Sequence, residues 1–160
     1  MTTTQQSAAR DQAESIVLKF TGFAVLTGAV PVPATSLAIV AENAAMVAAV
    51  ASAMRVPVSL GAVVGSMGAL GAANVFGRAV FVEGARALGW FGGPLGVGGV
   101  MALGATTAGL QTWTLGQLAI SLCANGGAPL QPEVARAVID AAGESYKSAR
   151  ERAKEEARKE

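Results

Sequence analysis

The chain has 160 residues and a net charge of +1, and only 14% of its residues are charged while 52% are hydrophobic. A length of this order corresponds to about one domain, and the near-balanced overall charge does not favour binding to nucleic acid. The sequence contains no histidine and a single cysteine, Cys123. These counts exclude zinc sites of the usual ligand types, histidine-dependent catalytic triads and an internal disulfide framework. We therefore expect neither an enzyme nor a cofactor.

The first three predicted helices follow one another with short breaks. The first covers residues 8–26 and ends before Pro31 and Pro33, because prolines two positions apart do not allow a helix to continue. The second is rich in alanine and covers residues 35–54, and the third covers residues 60–88. Strands are disfavoured, since the hydrophobic residues do not alternate with a period of two.

The second half of the chain adds two more helices. The fourth covers residues 95–122, and the glycine- and proline-rich stretch 125–132 is a linker. The last segment, residues 133–160, combines an apolar stripe at helical spacing with mixed charges. The predicted fold class is all-α, with glycine- and alanine-rich hairpins of about four apolar helices (residues 16–124) between a polar segment (residues 1–15) and a charged, amphipathic C-terminal helix.

The distribution of charge indicates contact with a lipid bilayer. Residues 20–132 carry only five charged side chains, whereas residues 133–160 carry fourteen. A membrane-spanning helix needs about 20 apolar residues, and residues 95–123 are the best candidate, although threonine and glutamine interrupt them. We therefore predict a transmembrane or membrane-inserted protein of the bacterial inner membrane, and the charged tail favours a cytoplasmic C-terminus.

Small residues recur at spacings that let helices approach closely. This pattern predicts homo-oligomers formed through glycine-lined helix faces. The alternative is a closely packed helical core or oligomer outside the membrane. The predicted packing residues are Gly61, Gly65, Gly68, Gly71, Gly104 and Ala108.

A candidate polar site consists of Glu42, Asn43 and Gln111. Glu42 is the only acidic residue in a long run of small apolar residues, and an acid within a membrane is a candidate ligand for a proton or an ion. The alternative is that Glu42 and Asn43 lie at a helix–helix contact or face solvent. Gln111 belongs to a threonine- and glutamine-rich face of the fourth helix.

Two motifs resemble the signatures of a bacterial family of unknown function, numbered 697 among such domains. The first is Ala29-Val-Pro31-Val-Pro33 with the alanine-rich helix that follows, and the second is Gly93-Pro-Leu-Gly96 leading to Thr112-Trp-Thr-Leu-Gly116. Members of that family often follow a small GTPase-like domain. The resemblance, over roughly residues 17–131, implies a helical, membrane-associated module with a GTPase partner and no enzymatic activity of its own. This chain departs from the family at Thr35-Ser36, where the family tends to have an acid.

Three functions remain open at this point. The first is a non-enzymatic membrane-associated module that self-assembles or acts as a scaffold. The second is a small channel or transporter subunit that uses Glu42 and the polar face around Gln111. The third is a soluble helical oligomer held together by its apolar core.

Overall fold

The structure, a computed structural model, describes residues 3–30, 35–67 and 93–157, and it describes side-chain surroundings for residues 4–30, 38–67 and 96–151. Within these ranges every regular element is an α-helix, which confirms the all-α fold class. The helices are α1 (Thr3–Ala29), α2 (Thr35–Met54), α3 (Leu60–Ser66), α4 (Gly93–Ala124) and α5 (Pro132–Ala157).

The boundaries of the helices follow local chemistry. The Ser59 side chain accepts a hydrogen bond from the backbone N–H of Ala62 and caps the start of α3. Gly126 and Gly127 end α4 with φ of 69° and 82°, a left-handed conformation that glycine adopts without strain. Helix α1 begins at Thr3, five residues before its predicted start, so the polar residues 3–15 belong to the same continuous helix as the apolar residues that follow.

The described core lies between α1, α2 and α4, and α3 and α5 pack against its edge. Ala13 is fully buried in this core, although it lies in the polar N-terminal segment. The core is built from small and medium-sized side chains, with no aromatic residue among its buried members in the described part of the chain. These members are Ala13, Val17, Met46, Val47, Val50, Met54, Val63, Leu115, Leu118, Ala119, Ile120, Leu122, Cys123 and Ala135.

Helices α1 and α4 run antiparallel along a seam of small residues. Gly116 lies against Val17, Gly109 against Val25, and Gly104 against Gly28. Residue numbers rise along α1 as they fall along α4, which defines the antiparallel register. We call this contact the α1–α4 seam.

The predicted transmembrane helix is wrong for the part of the chain that the structure describes. Among these residues no helix combines the length and the apolar character needed to cross a bilayer. The physical reason differs between helices: α1 contains Arg10, Asp11, Glu14 and Lys19, and in α4 glycine, threonine and glutamine dilute the apolar residues. This finding also contradicts the predicted localisation in the bacterial inner membrane with a cytoplasmic C-terminus.

Candidate functional site

The structure places the predicted packing residues in different surroundings. Gly104 and Ala108 lie in the α1–α4 seam, where a Cβ added to Gly28 would come within 2.6 Å of the Gly104 carbonyl oxygen and of the Ala108 Cβ. Gly61 and Gly65 are exposed, and a Cβ at Gly65 would meet no heavy atom of the described residues within 4 Å. The other two predicted packing residues, Gly68 and Gly71, lie outside the described residues.

The small residues of α4 form a longer stripe than the sequence analysis predicted. Gly104, Ala108, Thr112 and Gly116 follow at steps of four residues, and all are buried. Because residues four positions apart lie on the same face of a helix, this spacing identifies the stripe from the sequence alone. Gly28, which packs against Gly104 and Ala108 of this stripe, belongs to α1. The spacing within α4 gives no information about this contact.

Two hydrogen bonds tie α2 to its neighbours inside this apolar structure. The Thr112 hydroxyl donates to Asn43 Oδ1 at 2.8 Å, and both residues are buried. The Thr27 hydroxyl donates to Glu42 Oε1 at 2.7 Å. Glu42 and Asn43 therefore lie at helix–helix contacts, one with α1 and the other with α4. Gln111 is half-buried, and its neighbour Thr112 is the residue that bonds Asn43.

Two polar atoms near these contacts are buried and have no hydrogen-bond partner in the described part of the chain: Thr21 Oγ1 and Glu42 Oε2. Thr21 lies one turn after Val17, and Thr112 lies one turn before Gly116, so the register of the seam brings these two threonines to the same level. Within the described ranges no group of three or more His, Cys, Asp or Glu residues is placed to hold a metal ion. The geometry is that of polar contacts fixing the relative positions of three helices.

Replacing Thr27 with Val tests the contact with Glu42. The change removes the donor while preserving the side-chain shape, and we expect the free energy of unfolding to fall by about 1–2 kcal/mol, since a hydrogen bond to a carboxylate in a half-buried place loses part of its strength to solvent. Chemical denaturation at neutral pH measures the change. In a Glu42→Gln background the loss should be smaller. An equal loss in both backgrounds would show that the carboxylate charge is not involved.

Cys123 lies near the C-terminal end of α4 and is buried in the core. Burial raises the pKa of its thiol above the ordinary value, so less thiolate is present at any given pH. Because the thiolate is the reactive form of cysteine, this residue acts in the structure as a small apolar side chain.

The outer face of α1 carries the most exposed large hydrophobic side chains of the described residues. Leu18, Phe23 and Leu26 are 57%, 59% and 68% exposed. They lie opposite the buried stripe that contains Val17 and Gly28. Sequence reasoning missed this face, because it did not separate a buried side of the first helix from an exposed one.

Comparison of the chain with protein-family models, with curated proteins and with solved structures gives no match. The resemblance to the GTPase-associated family stays a prediction, and so does the GTPase partner that it implies.

Proposed function

We propose that this protein is a non-enzymatic helical module that self-associates through the outer face of α1. The observation that carries the proposal is the sequence of exposed residues at steps of four: Leu18, Gly22 and Leu26. We call these three residues the α1 ridge. Single exposed hydrophobic residues are normal on protein surfaces, whereas a contiguous apolar patch marks an interaction surface.

The glycine at the centre of the α1 ridge supports a close contact. No heavy atom of the described residues lies within 4 Å of the place where a Cβ on Gly22 would stand. Gly22 therefore has no packing role within the described part of this chain. A glycine between two exposed leucines forms a shallow notch that a helix of another molecule can enter.

A second copy of the chain fits this surface because the α1 ridge is self-complementary. Consider a two-fold axis perpendicular to α1 at Gly22. Since four residues rise about 6 Å along a helix, Leu18 of one copy then lies at the level of Leu26 of the other copy. The two Gly22 residues meet at the axis, and Phe23 covers the side of the contact. Interfaces of this kind, which use the same patch on both subunits, are the commonest form of homodimer.

Replacing Leu26 with Asp tests the interface. A charge at this position would face Leu18 of the other copy and be desolvated without a partner, and we expect the dissociation constant of the dimer to rise at least about 100-fold. Sedimentation velocity over a range of concentrations measures the change. The matched control is Val134→Asp, which places the same charge at an exposed apolar position of α5 and should leave the dimer intact.

Disulfide cross-linking tests the proposed register. In a Cys123→Ser background, Gly22→Cys should form a disulfide-linked dimer with itself, because the two positions meet at the axis. Leu18→Cys and Leu26→Cys proteins should cross-link to each other when mixed more readily than either does alone. A monomeric wild-type protein would overturn the proposal. So would a Leu26→Asp variant that loses folding stability, because the α1 ridge would then be covered within the same chain.

A further inference from the structure

A groove of about 210 Å³ lies where α1, α4 and α5 meet, and none of its lining residues belongs to the α1 ridge. Its lining combines apolar and polar side chains. The absent Cβ of Gly109 leaves room for the Tyr146 hydroxyl to lie against α4. The groove is lined by Val25, Ala102, Ala105, Thr106, Tyr146 and Arg150.

Three of its lining residues carry hydrogen-bond donors: Thr106 and Tyr146 a hydroxyl each, and Arg150 a guanidinium. Tyr146 is only 8% exposed, and within the described part of the chain the structure gives its hydroxyl no hydrogen-bond partner. The hydroxyl of Thr106 differs from that of the adjacent Thr107, which donates to the carbonyl of Leu103 on its own helix. Neither hydroxyl is among the buried polar atoms without a partner, so both are open to solvent in the groove and can donate to a ligand that carries an acceptor.

The charge at the groove is positive. None of its lining residues in the described part of the chain is acidic. The positions three and four residues before and after Arg150, where a helical ion pair would form, are occupied by Tyr, Lys, Ala and Lys. Burial raises the pKa of Tyr146, although Arg150 lowers it in part. The phenol therefore keeps its proton at neutral pH and remains a donor.

We infer that this groove binds the carboxylate of a small aliphatic acid. A carboxylate accepts hydrogen bonds on both of its oxygens, so it can satisfy the two hydroxyls and pair with Arg150. One guanidinium balances the single negative charge of a monocarboxylate. The aliphatic chain then lies against Val25, Ala102 and Ala105. The volume limits the ligand to a short chain, because pockets for drug-sized ligands begin at about 300 Å³.

Titration with hexanoate tests the inference. Tyr146 is the only tyrosine of the chain, so protein labelled with ¹³C at tyrosine reports on the groove through a single ring signal. Hexanoate should shift this signal in a saturable way. Hexanol has a chain of the same length without the charge, and it should bind at least about tenfold more weakly because charge-assisted hydrogen bonds are lost.

Two pairs of variants separate the groove from unspecific effects. Arg150→Gln should weaken hexanoate binding about tenfold, and Thr106→Val about threefold. Their controls are Arg136→Gln, which removes a cation elsewhere on α5, and Thr107→Val, whose hydroxyl already bonds its own helix. Both controls should bind like the wild type. A shift that does not saturate, an equal response to hexanol, or an equal loss in Arg136→Gln would overturn the inference.

Discussion

Replacing Gly28 with Ala is expected to lower the free energy of unfolding by about 2 kcal/mol, as overpacking of a close contact does. The added Cβ would lie 2.6 Å from the Gly104 carbonyl oxygen and 3.0 Å from its carbonyl carbon. These are backbone atoms, so relief requires α1 and α4 to move apart. Urea denaturation followed by circular dichroism measures the loss.

The control for this variant is Gly98→Ala on α4. No heavy atom of the described residues lies near the place of its Cβ. Alanine is the better helix former by about 1 kcal/mol, so this variant should be more stable than the wild type. If Gly28→Ala is also more stable, then α1 and α4 are not in close contact at this point.

Replacing Thr112 with Val is expected to cost about 2 kcal/mol of stability, because it leaves the Asn43 amide oxygen buried without its donor. Asn43 is 2% exposed and Thr112 is fully buried, so water cannot easily take the donor's place. Thermal or chemical unfolding measures the loss. The control is Thr107→Val, whose hydroxyl bonds its own helix and is half-exposed.

A double variant separates this hydrogen bond from side-chain packing. Replacing both partners of a buried hydrogen bond with apolar groups removes the unpaired atom. Asn43→Leu combined with Thr112→Val should therefore recover part of the stability that Thr112→Val loses. A double variant whose losses simply add would show that the two residues act independently.

Local sequence signals predicted several helix boundaries. The prolines after residue 29, the glycines at 126 and 127 and the alanine-rich run of α2 place boundaries within a few residues of those in the structure. Such features act within one turn of the chain, and no distant residue is needed to read them. The third helix was predicted to be too long, since α3 ends at Ser66, and the rest of its predicted range from residue 68 lies outside the described residues. The start of α1 was placed too late, because polarity alone suggested a separate segment before residue 16.

The candidate site could be predicted only in part. The sequence marks Glu42 and Asn43 as polar residues in an apolar helix, but the partner of Asn43 is 69 residues away. Helical periodicity carries no information about such a distance. The sequence analysis selected Gln111, whereas the structure uses its neighbour Thr112. Successive residues of a helix are rotated by about 100° around its axis, so an error of one residue selects a different side of α4.

The prediction of a membrane-spanning helix failed for a related reason. Low charge together with glycine and alanine is typical of helices in lipid. In the described helices the same composition brings α1 and α4 into backbone contact, as at Gly28 and Gly104. Composition alone does not distinguish small residues that face lipid from small residues that face another helix of the same chain.

The antiparallel seam also has a consequence for the order of folding. Helices α4 and α5 are joined by the short turn between Ala124 and Pro132, so their hairpin closes a small loop. The seam joins segments separated by roughly 75 to 100 residues, and the entropic cost of closing a loop grows with its length. We therefore expect α1 to reach α4 late, after the α4–α5 hairpin has formed. During synthesis the small-residue face of α1 therefore has no α4 to pack against until most of the chain has emerged from the ribosome.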